Sequence, residues 1–565
     1  MNFRWFGLGF LAAASTALGE EKGKGLDETI DGLLAPIAEW SDRIVFFSLG
    51  GVPVVLVLLA VTALFLTLYF KFINFRAFGL AVKTVKGKYS KADDPGQITH
   101  FQALTTALSA TVGLGNIAGV AVAIGLGGPG AVFWMVIMGL LGMTSKFTEC
   151  TLGVKYRDID ADGKVLGGGM RYLSKGLGEK GFGGLGRVLA IIFAVACIGG
   201  AIGAGNMFQV NQSAQQVSET FGVFTENTWV FGLIVAVLAG AVIIGGIVTI
   251  AKVTSYLVPF MTIIYVAACL VVLLANFSGI PAALGTIVTE AFSGEAAAGG
   301  FIGGLIQGIK RGVFSNEAGL GSAAIAHAPV KTRKPASEGV VALLEPFIDT
   351  VVVCLMTALV VVTTGTWKAD ASVGEDVALR VESLEASAVV MELKKDEVVK
   401  VVEAEQDADW VKVTVPEAGK EGFLPAAAVV DRTGWGGGIW LTSRSFGAVL
   451  PWFPYVLTIA VVLFAFSTMI SWSFYGEQAV SYLTGGSSGA ILGYKIFFCL
   501  CVVIGAGASL SNVLLLSDAM YFAMVFPNLI GLYFLLPVVK DELAKFQNFA
   551  KRVDEGASIE EADQA

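Results

Sequence analysis

Two glycine-rich interruptions carry the chemistry of this chain. Thr111–Gly119 reads Thr-Val-Gly-Leu-Gly-Asn-Ile-Ala-Gly inside an apolar run over 101–126, and Ser315–Ala323 reads Ser-Asn-Glu-Ala-Gly-Leu-Gly-Ser-Ala inside another. Each Gly costs about 1 kcal/mol in helix propensity, so a helix that only had to cross lipid would not carry them at its centre. Unwound backbone at membrane depth survives only where protein or a wet cavity satisfies its polar groups. Such a break exposes N–H groups, which suit a carboxylate, and C=O groups, which suit a small hard cation. In the first break, which Thr111 opens, Gly113, Gly115 and Asn116 can present N–H groups to a substrate carboxylate. In the second, Asn316 offers a side-chain amide, and carbonyls from Phe314 to Glu317 suit an ammonium group. Two interrupted helices in corresponding places of two halves imply a secondary transporter with its site between the breaks.

The rest of the chain must hold those breaks. Of 565 residues, 55% are hydrophobic and 15% charged, which excludes an ordinary soluble globular protein and implies an all-α polytopic membrane protein. About eleven spans are expected, over 50–72, 100–126, 129–155, 187–219, 229–250, 254–277, 300–329, 338–366, 447–483, 490–508 and 513–539, with a short amphipathic stretch at 280–292. Residues 1–19 read as a signal peptide, with an uncleaved anchor as the alternative, and 20–49 as an external amphipathic segment carrying Leu33, Leu34, Ile37 and Trp40. The transporter core is then 50–366 and 435–540, followed by an acidic tail at 541–565. Lys and Arg cluster after the first, third, seventh and last spans, so the positive-inside rule makes that side cytoplasmic, with the N-terminus and 367–434 external and the C-terminus internal. This topology suits the inner (cytoplasmic) membrane; the lipid bilayer is an expected partner and nucleic acid is not. The six cysteines fall in or beside predicted spans and give no disulfide framework.

Residues 367–434 break the apolar pattern and hold 15 acidic and 8 basic side chains. Alternation in Val377–Val381, Val398–Val402, Trp410–Val415 and Gly422–Pro425 reads as a small antiparallel β domain. The order of its elements resembles a bacterial SH3-like domain, with Asp396 and Glu397 where a glycine is usual. Such domains often bind cell-wall glycopeptide; a folded spacer is the alternative.

Polar residues inside spans demand partners. Asn206, Gln209 and Gln212 recur at three-residue spacing as one stripe. Lys310 and Arg311 precede the second break, Glu317 lies within it, and Glu345 and Asp349 stand one turn apart in the eighth span, where they could neutralise those cations. Glu317, Glu345 and Asp349 are either a structural ion-pair network or coupling charges. His100 and His327 read as structural.

Several long motifs resemble the alanine or glycine:cation symporter family: Leu108–Gly119, Gly127–Trp134, Gly142–Glu149, Gly312–Ala323 and Ser471–Glu477. The resemblance covers 50–540 apart from the insert. It implies a leucine-transporter-type fold, with two inverted five-helix repeats over spans two to six and seven to eleven. It also implies a sodium ion between the first break and the ninth span, held by the carbonyls of Ser109, Val112 and Phe464 and the hydroxyls of Ser467 and Thr468. Back-bonding to the helix is the alternative for those hydroxyls. Trp472, four residues past Thr468, shares its helix face and could form an apolar wall limiting side-chain size, or else anchor the interface. The family pattern around Gly205–Gln209 favours Gln209 as a substrate contact, with interhelical hydrogen bonding the alternative. The implied activity is sodium-coupled symport of alanine or glycine by alternating access, without enzymatic chemistry. A proton-coupled symporter, or an amino-acid sensor signalling through its external domain, are the second readings.

Overall fold

The computed structural model describes residues 36, 38, 40–225, 227–293, 300–368, 371–374, 376–384, 387–394, 397–403, 410–415, 418–425, 428–430 and 438–564. The expected signal peptide, and Leu33, Leu34 and Ile37 of the amphipathic segment, lie outside them; Trp40 is exposed.

Long apolar helices dominate. In chain order they are α1 (Val54–Tyr69), α2 (His100–Thr111), α3 (Val120–Gly127), α4 (Gly130–Lys155), α5 (Gly183–Phe221), α6 (Thr228–Ile243) and α7 (Gly246–Ala275). After the short helix Ile280–Glu290 come α8 (Gly300–Asn316), α9 (Ala323–His327), α10 (Pro335–Thr364), α11 (Phe453–Thr484), α12 (Ser488–Gly507), α13 (Leu510–Phe522) and α14 (Val525–Asp554). Among the described residues, seven helices are long and apolar enough to cross a membrane, and the bent pair His100–Thr111 with Gly115–Gly127 makes an eighth. Over the other expected spans lie shorter helices: α1 and α6, each 16 residues and so about 24 Å long, and α8 and α9 on either side of the second break. Outward faces are apolar: Val57, Val61, Leu64 and Leu68 on α1, Val188, Ile191 and Val195 on α5, and Ile263, Leu270 and Leu274 on α7 are exposed. So broad an apolar girdle requires lipid around it, and the protein is a multi-pass membrane protein.

Both interruptions are present. At the first, Val112 leaves helical geometry (φ −75°, ψ 84°) and the axis bends by 53° before a π-helical turn, Gly115–Gly119, restarts it. At the second, Glu317, Gly319 and Gly321 all take positive φ (59°, 92° and 81°), which no helix accommodates. Two further π-helical segments widen long helices, Gly203–Met207 within α5 and Phe347–Cys354 within α10. Such bulges cluster where side chains must be re-aimed toward a site.

The insert is a seven-stranded antiparallel sheet: β1 (Ala371–Val373), β2 (Val377–Arg380), β3 (Val389–Leu393), β4 (Val398–Glu403), β5 (Trp410–Val415), β6 (Lys420–Pro425) and β7 (Val429–Val430). Its order is β7-β1-β4-β5-β6-β2-β3, and its inward residues, among them Leu379, Leu393, Val413 and Leu424, form a core separate from that of the helices. Alternation anticipated β2, β4, β5 and β6. It missed β1 and β7, three and two residues long, and β3, whose Val-Val-Met-Glu-Leu does not alternate and which meets β2 across a bulge at Leu379/Arg380.

Candidate functional site

The two breaks face each other. A Cβ built on Gly115 would sit in van der Waals contact with the Cα of Ser315, at 3.4 Å, so the two breaks lie side by side. A Cβ on Gly113 would lie 2.4 Å from Thr468 Oγ1 and 3.2 Å from Gln209 Oε1, so α11 and α5 close over the same point. The N–H groups freed here are met by side-chain oxygens: Gly113 donates to Asn116 Oδ1 (2.9 Å) and Leu114 to Gln209 Oε1 (3.1 Å). A carboxylate entering the break would replace amide oxygens with a stronger, charged acceptor. Thr111 bonds back to Ala107 O (3.2 Å). Asn316 Nδ2 donates to Thr350 (2.9 Å), and its Oδ1 receives the N–H of Ala318 (3.0 Å).

Four of the five expected cation ligands share one buried cluster between α2 and α11. Thr468 Oγ1 donates to Ser109 O (3.0 Å), Ser109 Oγ to Ser467 O (2.7 Å), and Ser467 Oγ to Phe464 O (2.9 Å) and Met261 Sδ (3.5 Å). Only Ser467 shows the back-bonding of an ordinary helix hydroxyl; Thr468 reaches across to the other helix. Val112 stands one residue from the contact, which Gly113 makes. The donors are all neutral oxygens, the set a hard monovalent cation takes, and a hydroxyl that turns its proton aside offers a lone pair.

An aromatic layer borders the breaks. Trp472 is fully buried and donates Nε1–H to Ala110 O (3.3 Å), a backbone oxygen in the last turn of α2, so it is not an interface anchor. Its ring packs on Tyr521 (5.5 Å), Tyr521 on Phe314 (5.1 Å) and Phe314 on Phe208 (5.3 Å). Gly205, in the π turn of α5, leaves the space the Trp472 side chain fills. The carbonyl of Phe314, expected to face an ammonium group, accepts from Tyr521 Oη (3.0 Å). Sequence reasoning missed Tyr521 and Phe208: nothing in α13 or α5 distinguishes these rings from lipid-facing aromatics.

The buried charges pair differently from expectation. Lys310 and Arg311 both bind Asp518 of α13, Lys310 at 2.8 Å, so Glu345 and Asp349 do not neutralise them. Glu345 instead binds Lys146 Nζ (2.9 Å) and lies 3.5 Å from His327 Nε2, and Glu317 lies 4.0 Å from the same lysine. His100 and His327 both bind Glu338 of α10, His327 at 2.5 Å. Lys146 therefore ties α4 to the second break and to α10. The expected polar stripe is buried in the protein, but its members take different partners. Asn206 donates to Phe498 O (2.7 Å), Gln212 accepts from Ile439 N (3.0 Å), and Gln209 alone reaches the break.

Asp349 stands apart. It is fully buried on the π segment of α10, and its oxygens receive Asn116 Nδ2 (2.6 Å) from the first break, Ser315 Oγ (2.8 Å) from the second, and Thr350 Oγ1 (2.7 Å). These donors satisfy its hydrogen bonds but not its charge. Cys354 completes this group at 3.2 Å from Ser315 Oγ and 3.3 Å from Asn116 Nδ2.

A lipid-embedded helical bundle with two facing helix breaks over sealed oxygen clusters is the architecture of a membrane transporter. The chain belongs to the sodium:alanine symporter family, whose model matches residues 38–393 and 426–560. It is 40% identical over 500 residues to the sodium/alanine symporter AgcS of Methanococcus maripaludis, covering 88% of this chain and 95% of that protein. It is 37% identical over 299 residues to the amino-acid carrier protein AlsT of Bacillus subtilis, covering 53% and 61%. A solved structure, MhsT in complex with L-phenylalanine, aligns at TM-score 0.45 and 12% identity over 79% of this chain and 99% of that one. The family's members are transporters, not enzymes, and the chain is an amino-acid:cation symporter.

Proposed function

We propose that the protein carries small neutral amino acids, alanine and glycine, in symport with sodium by alternating access. The observation that carries this reading is the neutral oxygen cluster of Ser109, Phe464, Ser467 and Thr468 lying directly against Gly113. A cation there organises α2 against α11, and the same contact shapes the N–H groups that receive a substrate carboxylate. Trp472 against the last turn of α2 and Tyr521 against Phe314 bring bulky rings to both breaks, which favours a side chain no larger than a methyl. Asp349 is the coupling carboxylate, because it touches both breaks and has only neutral donors among its hydrogen-bond partners. Glu317 and Glu345 are held by Lys146 and serve as structural ion pairs. Eleven spans in a leucine-transporter-type inverted repeat accommodate α1–α14. The basic clusters support a cytoplasmic C-terminus in the inner membrane, with the β insert outside as an SH3-like accessory domain. In proteoliposomes, an inward Na⁺ gradient is expected to drive accumulation of radiolabelled L-alanine. Equal accumulation with K⁺ in place of Na⁺ at constant pH would overturn the sodium assignment and favour proton coupling.

A further inference from the structure

The stretch leading into α2 and the stretch leaving α9 are sewn together at the end of the bundle remote from the insert. Ile98 and Val330 form a parallel bridge. Around it Gln97 N donates to Pro329 O (2.7 Å), Lys331 N to Ile98 O (2.8 Å) and Thr332 N to Pro95 O (3.2 Å). Gly96 permits the approach, since a Cβ there would lie 2.2 Å from Val330 O. Arg157, two residues past the end of α4, spreads its guanidinium over four backbone carbonyls of these two stretches. Nη1 reaches Ala328 O (2.6 Å) and Val330 O (2.5 Å), and Nη2 reaches Pro95 O (2.7 Å) and Thr332 O (3.0 Å). One turn deeper, Glu338 binds His100 at the start of α2 and His327 at the end of α9. Swinging α2 away by itself would break the four backbone hydrogen bonds at the bridge, the Arg157–Pro95 bond and the His100–Glu338 pair. Moving α2 and α9 as one part, with α4 and α10, breaks none of these.

We infer that Arg157 is a positioning residue that locks the two half-helices α2 and α9 into a single moving part, so that both open the site on this side together. This rests on the alternating-access reading above. Arg is required because its planar fork serves four acceptors at once, which a lysine ammonium cannot. The lock itself is tested by a disulfide placed across the bridge in the full-length protein. Oxidised I98C/V330C is expected to take up alanine within about twofold of its reduced form, because the two stretches never separate. R157Q is expected to lower uptake at least about fivefold while alanine binding changes less than about twofold, since the fork and not the site is lost. Oxidised I98C/V330C introduced into R157Q is expected to restore uptake, an effect that a merely structural arginine would not show. Loss of uptake on oxidising I98C/V330C, regained on reduction, would overturn the lock, as would wild-type uptake by R157Q. Should R157Q fail to fold, the oxidised pair in the wild-type background still decides. Absence of alanine uptake in the unmodified protein would instead refute the transport reading.

Discussion

Replacing Gly113 with alanine is expected to lower sodium-driven alanine uptake by about 10- to 100-fold while leaving a folded protein. The added methyl would fall 2.4 Å from Thr468 Oγ1 and 3.2 Å from Gln209 Oε1. Thr468 cannot yield easily: its branched side chain has few rotamers, and its hydroxyl is bonded to Ser109 O. Overpacking of this kind costs about 1–3 kcal/mol, and here relief comes by pushing the first break off α11. That displacement opens the oxygen cluster and shifts the N–H groups of the break together. Uptake by G113A within about twofold of wild type, with unchanged sodium dependence, would show that α11 and the first break need not be in register.

The second large effect is expected at Asp349. D349N keeps the shape of the side chain and one acceptor oxygen, and the hydroxyls of Ser315 and Thr350 can turn to accept from the new amide. Removing an unpaired buried charge relieves a desolvation penalty, so the fold should be as stable or more stable. Transport should nevertheless fall about 100-fold, because in the proposed mechanism Asp349 is the coupling carboxylate, with no resident counter-charge of its own. A stability gain together with loss of transport identifies a functional charge. A stability loss with transport preserved would make Asp349 a structural acceptor for Asn116 and Ser315.

The breaks were legible because their signal is local. Three glycines and an asparagine in an apolar run defy helix propensity wherever they occur, and the 53° bend between His100–Thr111 and Gly115–Gly127 lies where they stand. The insert was legible for the same reason, since alternating valines mark a strand without knowledge of its partner. Partnership across the bundle was not legible. Lys310 and Arg311 find Asp518, some two hundred positions away, and Glu345 finds Lys146; nothing near any of them in the chain announces the pairing. The π-helical segments were hidden too. One extra residue in a turn changes which face a side chain occupies, and nothing in the sequence at Gly203–Met207 or Phe347–Cys354 announces it. Asp349 was visible as an intramembrane charge, yet its contacts with Asn116 and Ser315 join positions far apart in the chain, which nothing local announces.

The central claim is that cation and amino acid bind at adjoining points of the first break and so strengthen one another. Linkage makes such coupling reciprocal, and it is read most directly by calorimetric titration of the purified full-length protein with L-alanine at fixed ionic strength, with Na⁺ exchanged stepwise for K⁺. Alanine affinity is predicted to rise at least about tenfold from sodium-free to sodium-saturated conditions, and the rise should be largely lost in T468A. An alanine affinity that is the same with and without Na⁺ would contradict the account.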